Sequence, residues 1–288
     1  MPPRLLITGA NGSLGQDFQA YVRKTMPEAF DLIPLARADF DLSCSADEMR
    51  ARLNDLRPDI ILNAGAFTQV DAAETQQGMA LAANAMGPGI MAEWVARHPG
   101  KYMIQISTDY VFNGQKEIGQ LYEPHESTEP VNYYGLSKLK GEESVLQAAS
   151  EQALVLRTSW LFGTQARGFH SFVHNNLSES KSAKITQDQV GTPTWTVSLS
   201  KMILQVINDR PCGVLHGCNA GYASRLEQAR WIAQCLNLSR EARFEPILTS
   251  DLKLPAQRPM NTAMKSSFGD ILDWKLATEE FFHSLLNN

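Results

Sequence analysis

Positive charge is in short supply: 26 Lys and Arg stand against 31 Asp and Glu, a formal net charge of −5. That balance gives no electrostatic footprint for nucleic acid or for an anionic membrane surface. An anionic small molecule would therefore have to be met by a few local basic residues. Long apolar runs are missing as well. The N-terminal "MPPRLLITGANGSLG" passes from a short apolar run straight into glycines, without a signal-peptide core, and no later segment has enough consecutive apolar residues to span a bilayer. A cytoplasmic protein with neither nucleic-acid nor membrane partners is expected. Cysteine is sparse, and Cys44, Cys212, Cys218 and Cys235 include no CxxC, which favours free thiols in a reducing compartment over a disulfide framework. The chain also lacks internal repeats and low-complexity linkers.

Metal-ligand spacing is equally weak. "CGVLHGC" brings Cys212, His216 and Cys218 near one another, but its alternating apolar character reads as a strand with buried thiols. His170 and His174 in "FHSFVHNN" sit four apart, yet no Glu follows His170 as a zinc-protease motif requires, so the pair reads as a helix face. No metal site is expected.

What is present is a 288-residue chain, 43% hydrophobic and 20% charged, large enough for one big core or two smaller ones. "RLLITGA" reads as a strand, "GSLGQDFQAYVRK" as a helix, "FDLIPLAR" as a strand and "SADEMRARLNDL" as a helix with a serine N-cap. "DIILNAGA" follows as a strand whose continuous apolar character suggests burial on both faces. The helix "QQGMALAANAMGPGIMAEWVARH", the strand "KYMIQIST", a helix around residue 134 and the strand "ALVLRTSWLFG" extend the alternation. Alternating strands and helices imply an α/β fold, a Rossmann-like doubly wound parallel sheet. Past about residue 160 the pattern weakens, although "SRLEQARWIAQCL" and "ATEEFFHSLL" still read as helices. The expected division is a dinucleotide-binding domain over 1–160 and a smaller, mainly substrate-binding region over 161–288, some of whose segments return to the first domain across a tight interface.

"TGANGSLG" places Gly9, Gly12 and Gly15 at GxxGxxG spacing where the first strand turns into a helix. Glycines there let the backbone approach a pyrophosphate, and the helix N-terminus offers free N–H groups. A tight turn alone would look the same, but the strand–turn–helix context favours a dinucleotide. The second strand lacks the acid that usually binds the ribose hydroxyls and offers Ala36 and Arg37 instead. Arg37 reads either as a partner for a 2′-phosphate or as a solvated arginine, so NADPH is expected over NADH, with NADH left open. Asp41 and Leu42 follow closely enough to flank an adenine.

In "NYYGLSKLKGEE", helix geometry puts Tyr134 and Lys138 on one face, because residues four apart stack. Tyr133 falls over Ser137 and Lys140 under Leu136, so neither makes a second such pair. Any amphipathic helix can carry Tyr and Lys at this spacing with the lysine simply solvated.

GxxGxxG, "NAGA", "STDYVF" and YxxxK in this order resemble the extended short-chain dehydrogenase/reductase family, and within it the dTDP-4-dehydrorhamnose reductases. The likeness runs through "RPDIILNAGAFTQVDAAE", "ISTDYVFNG", "EPVNYYGLSKLKGEE", "LRTSWLFG", "GTPTW" and "RPMNT". It implies reduction of a nucleotide-linked keto-sugar with Tyr134 as acid, Lys138 as its charged partner favouring phenolate, and Thr108 as third catalytic group. It implies cofactor contacts from Gly9, Asn11, Gly12, Ser13, Leu14, Gly15, Arg37, Asp41, Leu42, Ala64, Gly65, Ala66, Thr68, Tyr134 and Lys138. It further implies that Val70, Asp71, Thr108, Asp109, Tyr110 and Trp160 surround the sugar and that Arg258 meets the diphosphate. Trp160 and Tyr110 read equally as ordinary aromatics, and Asn84 as relay, backbone support or plain helix residue. Related dehydratases carry Asp-Glu after the catalytic threonine, whereas Asp109-Tyr110 here argues for simple carbonyl reduction. Ala72 departs from a lysine common in the family. Some members bind Mg²⁺ with acids at a dimer contact; Asp17 stands where one would, but "GTPTWTVSLS" has no acid, so Mg²⁺ and that dimer mode are not supported and a homodimer is left open. The rival reading is a non-catalytic NADP-binding regulatory subunit, since the beta subunit of methionine adenosyltransferase resembles the same reductases. A reductase of another nucleotide-linked ketose is a third.

Overall fold

The first half of the chain alternates strand and helix: β1 (Arg4–Thr8), α1 (Ser13–Thr25), β2 (Asp31–Leu35), α2 (Ala46–Leu56), β3 (Ile60–Asn63), α3 (Val70–Ala73), α4 (Gln77–Leu81), α5 (Gly87–Ala96), β4 (Tyr102–Thr108), α6 (Tyr133–Ala149) and β5 (Ala153–Thr158). The computed structural model describes residues 1–165, 168–179, 181–238 and 243–286. Its second half contains β6 (Leu161–Phe162), α7 (Phe169–Ser178), β7 (Ser182–Thr186), β8 (Val190–Gly191), β9 (Thr194–Trp195), α8 (Thr196–Asp209), β10 (Gly213–His216), β11 (Ala223–Ser224), α9 (Arg225–Cys235), β12 (Arg243–Ile247) and α10 (Trp274–Leu286).

The central sheet has six parallel strands in the order β10-β5-β4-β3-β1-β2. Helices cover both faces, which is why its strands read as continuous apolar runs. Leu5 and Ile7 join Leu14 and Phe18 of α1 and Leu199 and Ile203 of α8 on one face. Leu6, Ile61 and Met103 join Met49 of α2, Met91 of α5 and Val145 of α6 on the other. The chain runs from β1 outward to β2 and then returns to the far side of β1 for β3. That reversal opens a crevice beyond the carboxyl ends of β1 and β3, the position where such sheets bind ligands.

Three elements differ from their sequence reading. The single helix expected over residues 76–98 is interrupted by a π-helical turn at Ala82–Met86, because the Asn84 side chain is drawn out to the Phe67 backbone and Pro88 cannot donate in the following turn. The strand expected through "ALVLRTSWLFG" stops at Thr158. Trp160 takes a left-handed conformation with φ 44°, and β6 leaves to pair with β9. In "CGVLHGC" the strand forms and Cys218 is buried, but Cys212 precedes it at the sheet edge and is exposed.

The second half has its own core, in which Phe162, Val173, Ile185, Leu226, Ile232 and Phe281 meet. Two of its elements lie in the first layer: α8 packs beside α1, and β10 pairs with β5. Buried Asp17 of α1 reaches across to Thr164, accepting from its backbone N–H at 3.1 Å and from its hydroxyl, and also accepts from the Thr196 hydroxyl. No helix among the described residues is long and apolar enough to cross a membrane.

Candidate active site

The turn from β1 to α1 is shaped by what its glycines avoid. Gly9 has φ +64°, and a Cβ there would lie 2.7 Å from Gly65 N and 2.8 Å from Ala64 O, in the loop after β3. A Cβ on Gly15 would stand 2.4 Å from Gly9 O. The two glycines thus let β1, α1 and the β3 loop close on one another. Gly12 is the N-cap of α1 and no side chain caps that end, so the helix's first N–H groups face the crevice uncapped. Beside it lies a pocket of about 130 Å³ whose lining includes Gly9, Arg37, Asp41, Leu42, Gly65 and Ala66. Arg37 is exposed and pairs with Asp41 at 3.6 Å. Hydrogen bonds from Ser43 hold the Asp41 carboxyl below the usual range. Leu14 is buried under the turn, whereas Asn11 and Thr68 are exposed, with the Asn11 carbonyl accepting from Gln165. These features fit a dinucleotide: an uncapped helix N-terminus and a glycine turn for phosphates, and a walled pocket for the base.

Strand register extends the site across the sheet. Thr8 stands opposite Asn63, and Asn63 opposite Gln105, so three polar side chains share one row. The Thr8 hydroxyl accepts from Gly65 N at 3.1 Å and donates to Asn63; Asn63 donates to Gln105 at 2.6 Å; Gln105 donates to the Ile106 carbonyl at 2.9 Å. The ammonium of Lys138 donates to that same carbonyl at 2.7 Å. A buried polar row therefore runs from the glycine turn to Lys138, which motif reading missed because it depends on strand register. One turn further along α6, Glu142 accepts from Ser107 at 2.5 Å and holds Arg157 at 2.7 Å.

Helix α6 sets Tyr134 over Lys138. Asn132 caps it by accepting from Gly135 N at 2.8 Å. The Tyr134 ring meets Tyr110 edge-on at 5.8 Å, with Thr108 close by. Burial pushes the Tyr134 phenol well above its ordinary pKa, opposed by the neighbouring Thr108 hydroxyl, with Asp109 and Tyr110 raising it further. Burial lowers Lys138 to about 8, opposed by Glu142. Lys138 is not among the groups that move the Tyr134 phenol, and its ammonium donates to the Ile106 carbonyl. Thr108 donates to Asp109 at 3.1 Å and accepts from Tyr110 N at 3.2 Å. Asp109 is buried and also accepts from Ser159 at 2.9 Å and Thr262 at 2.5 Å; burial raises its pKa.

Asp71 and Arg258 meet each other, in two bonds of 3.0 and 2.7 Å, and Asp71 also accepts from Ala256 N. That bidentate pairing lowers the Asp71 pKa. Val70 opens the same short helix, half-buried. Trp160 carries the Arg225 guanidinium on its ring face at 3.4 Å. Arg225 was not singled out from sequence, where it is one more charge at a helix start. Asn84 belongs to the backbone: its side chain joins Phe67 to the Ser137 hydroxyl. The Asp17 carboxylate accepts from Thr164 and Thr196, as described above. No group of three or more His, Cys, Asp or Glu among the described residues is arranged to hold a metal.

Comparison with known proteins agrees along nearly the whole chain. A dTDP-4-dehydrorhamnose reductase of Mycolicibacterium smegmatis is 34% identical, over 97% of this chain and 85% of its own length. A dTDP-4-keto-6-deoxy-D-glucose reductase of Streptomyces niveus is 30% identical, over 100% and 99% respectively. The crystal structure of the Bacillus anthracis dTDP-4-dehydrorhamnose reductase in complex with NADP is 30% identical and superimposes with a TM-score of 0.91, covering 99% of this chain and 100% of that one. With residues 3–285 matching its family profile, the chain belongs to the RmlD substrate binding domain family.

Proposed function

We propose that this chain is an NADPH-preferring oxidoreductase that reduces the 4-keto group of a dTDP-6-deoxy-hexulose, giving dTDP-L-rhamnose or a close relative. The observation that carries the reading is Tyr134 beside Thr108, its phenol held above the ordinary pKa, one helical turn from Lys138, which a buried polar row joins to a glycine turn. When bound, the reduced nicotinamide supplies the hydride. The chain's own task is to bind the ketone, polarise it and deliver a proton. The Tyr134 and Thr108 hydroxyls would share the carbonyl oxygen, and Tyr134 would give its proton to that oxygen as it becomes an alkoxide. A phenol held neutral by desolvation is the correct form for an acid. Lys138 would restrain the cofactor ribose and offset the phenolate left behind. Tyr110 stands where a dehydratase carries a glutamate, which argues for simple carbonyl reduction over elimination of water. An intact Thr108, Tyr134 and Lys138 set also weighs against a purely regulatory subunit.

Arg37, at the mouth of the adenine pocket, is assigned to the 2′-phosphate. Arg37→Ala is expected to weaken NADPH by about tenfold while changing NADH little, a loss of about 1.4 kcal/mol, measured by fluorescence titration of both cofactors. Equal weakening of the two would contradict the assignment. A second reading, reduction of a different dTDP-linked 4-ketose, draws on Ala72 and on the Streptomyces niveus relative, named for another sugar. Product analysis with a panel of dTDP-4-keto sugars separates the two.

A further inference from the structure

Among the described residues, four cations lie near the residues assigned to the substrate, and three have protein partners. Arg157 forms a buried pair with Glu142, Lys138 donates to the Ile106 carbonyl, and Arg258 is neutralised by the bidentate Asp71. The fourth is Arg225, the first residue of α9. Its charge acts on Tyr110 and Asp109, which places it beside the residues assigned to the sugar. No carboxylate among the described residues forms an ion pair with it. Its Nη1 donates to the buried Gln228 at 3.1 Å, and its guanidinium forms no other side-chain hydrogen bond among the described residues.

We propose that Arg225 receives the diphosphate of a nucleoside-diphosphate sugar, and that Arg258 serves instead as a strut holding the Asp71 segment to the 256–258 loop. The inference rests on the nucleotide-sugar reading of the site. Three features support it. The guanidinium carbon stands over the Trp160 ring, 3.4 Å from its centroid, and over the Phe169 ring at 4.8 Å, so two aromatic rings restrain the group. Such a planar fork matches two phosphate oxygens. Gln228 fixes one end of the fork, and Trp160 is held in its left-handed turn against Gly191, where an added Cβ would stand 2.4 Å from the indole. A half-buried cation with no carboxylate of its own is costly to keep, and a dianionic ligand would offset that cost. Burial lowers its pKa to about 10, which leaves it charged at neutral pH.

The test is calorimetric titration of dTDP and of thymidine into the NADP-bound protein. Wild type is expected to bind dTDP more tightly than thymidine. Arg225→Gln should lose about tenfold or more of the dTDP affinity, with thymidine and NADPH binding unchanged, and Arg258→Gln should keep the dTDP-to-thymidine ratio. Arg225→Met, which preserves the apolar stem against Trp160, carries the same expectation should the amide disturb the stack. An undiminished dTDP-to-thymidine ratio in the Arg225 variants, with the wild-type preference intact, overturns this inference alone. A wild type that prefers neither overturns the nucleotide-sugar reading and this inference with it.

Discussion

Tyr134 and Lys138 lie one helical turn apart, and burial moves their pKa values in opposite directions. The phenol is pushed up and the ammonium down to about 8. A lysine with a lowered pKa is charged below about 8 and neutral above it, while the phenol remains a proton donor throughout. The kcat/KM for ketone reduction should therefore be level below about pH 8 and fall above it, on one limb set by Lys138. Steady-state rates across that range check this, and Lys138→Arg, which cannot lose its charge, should remove the limb. A limb that persists in Lys138→Arg would assign it to another group. That Tyr134 and Lys138 share a helix was legible in sequence, since four-residue spacing places them on one face, while the choice of Tyr134 over Tyr133 came from the family resemblance. Arg225 was not, because its value depends on Trp160 turning back beneath it, and no local pattern around "ASRLEQ" announces that contact.

The α6 element owes its position to two contacts that forbid side chains. A Cβ on Gly135 would fall 2.1 Å from the Tyr110 carbonyl oxygen, and one on Gly141 would fall 2.0 Å from that of Asn84. The helix is thus seated against the catalytic loop and the π-turn at backbone distance. Gly141→Ala should push the helix outward, destabilise the fold by about 1–3 kcal/mol as overpacking does, and lower turnover by displacing Tyr134. Gly78→Ala, on α4 with open space at its Cβ, should be neutral or stabilise by about 0.5 kcal/mol. Chemical denaturation of both variants checks the contrast, and equal stability would contradict the close seating. The π-turn escaped the sequence reading because its apolar periodicity continues through it. What breaks the helix is Asn84, recruited by Phe67 seventeen positions earlier, a contact no helical period encodes.

At the scale of the molecule, the alternation through β5 was enough to imply a parallel sheet covered on both faces, because buried strands must be apolar throughout while their helices are apolar along one stripe. The second half was harder to read. Its strands β6, β8, β9 and β11 have two residues each, too short for any alternation to declare itself, and they exist only through partners distant in sequence. The return of α8 and β10 to the first layer, and the Asp17 link between α1 and two threonines, likewise follow from tertiary contact. The proposed site draws on both halves: a glycine turn, a Tyr-Lys helix and Trp160 from the first, Arg225 and Arg258 from the second. Proton transfer from Tyr134 to a sugar ketone is tested by NADPH oxidation with dTDP-4-keto-6-deoxy-L-hexulose generated in situ, comparing wild type with Tyr134→Phe. Steady turnover is expected of the wild type and a loss of about 10²-fold or more in kcat of the variant, at nearly unchanged NADPH affinity. Turnover by Tyr134→Phe at the wild-type rate would contradict that transfer.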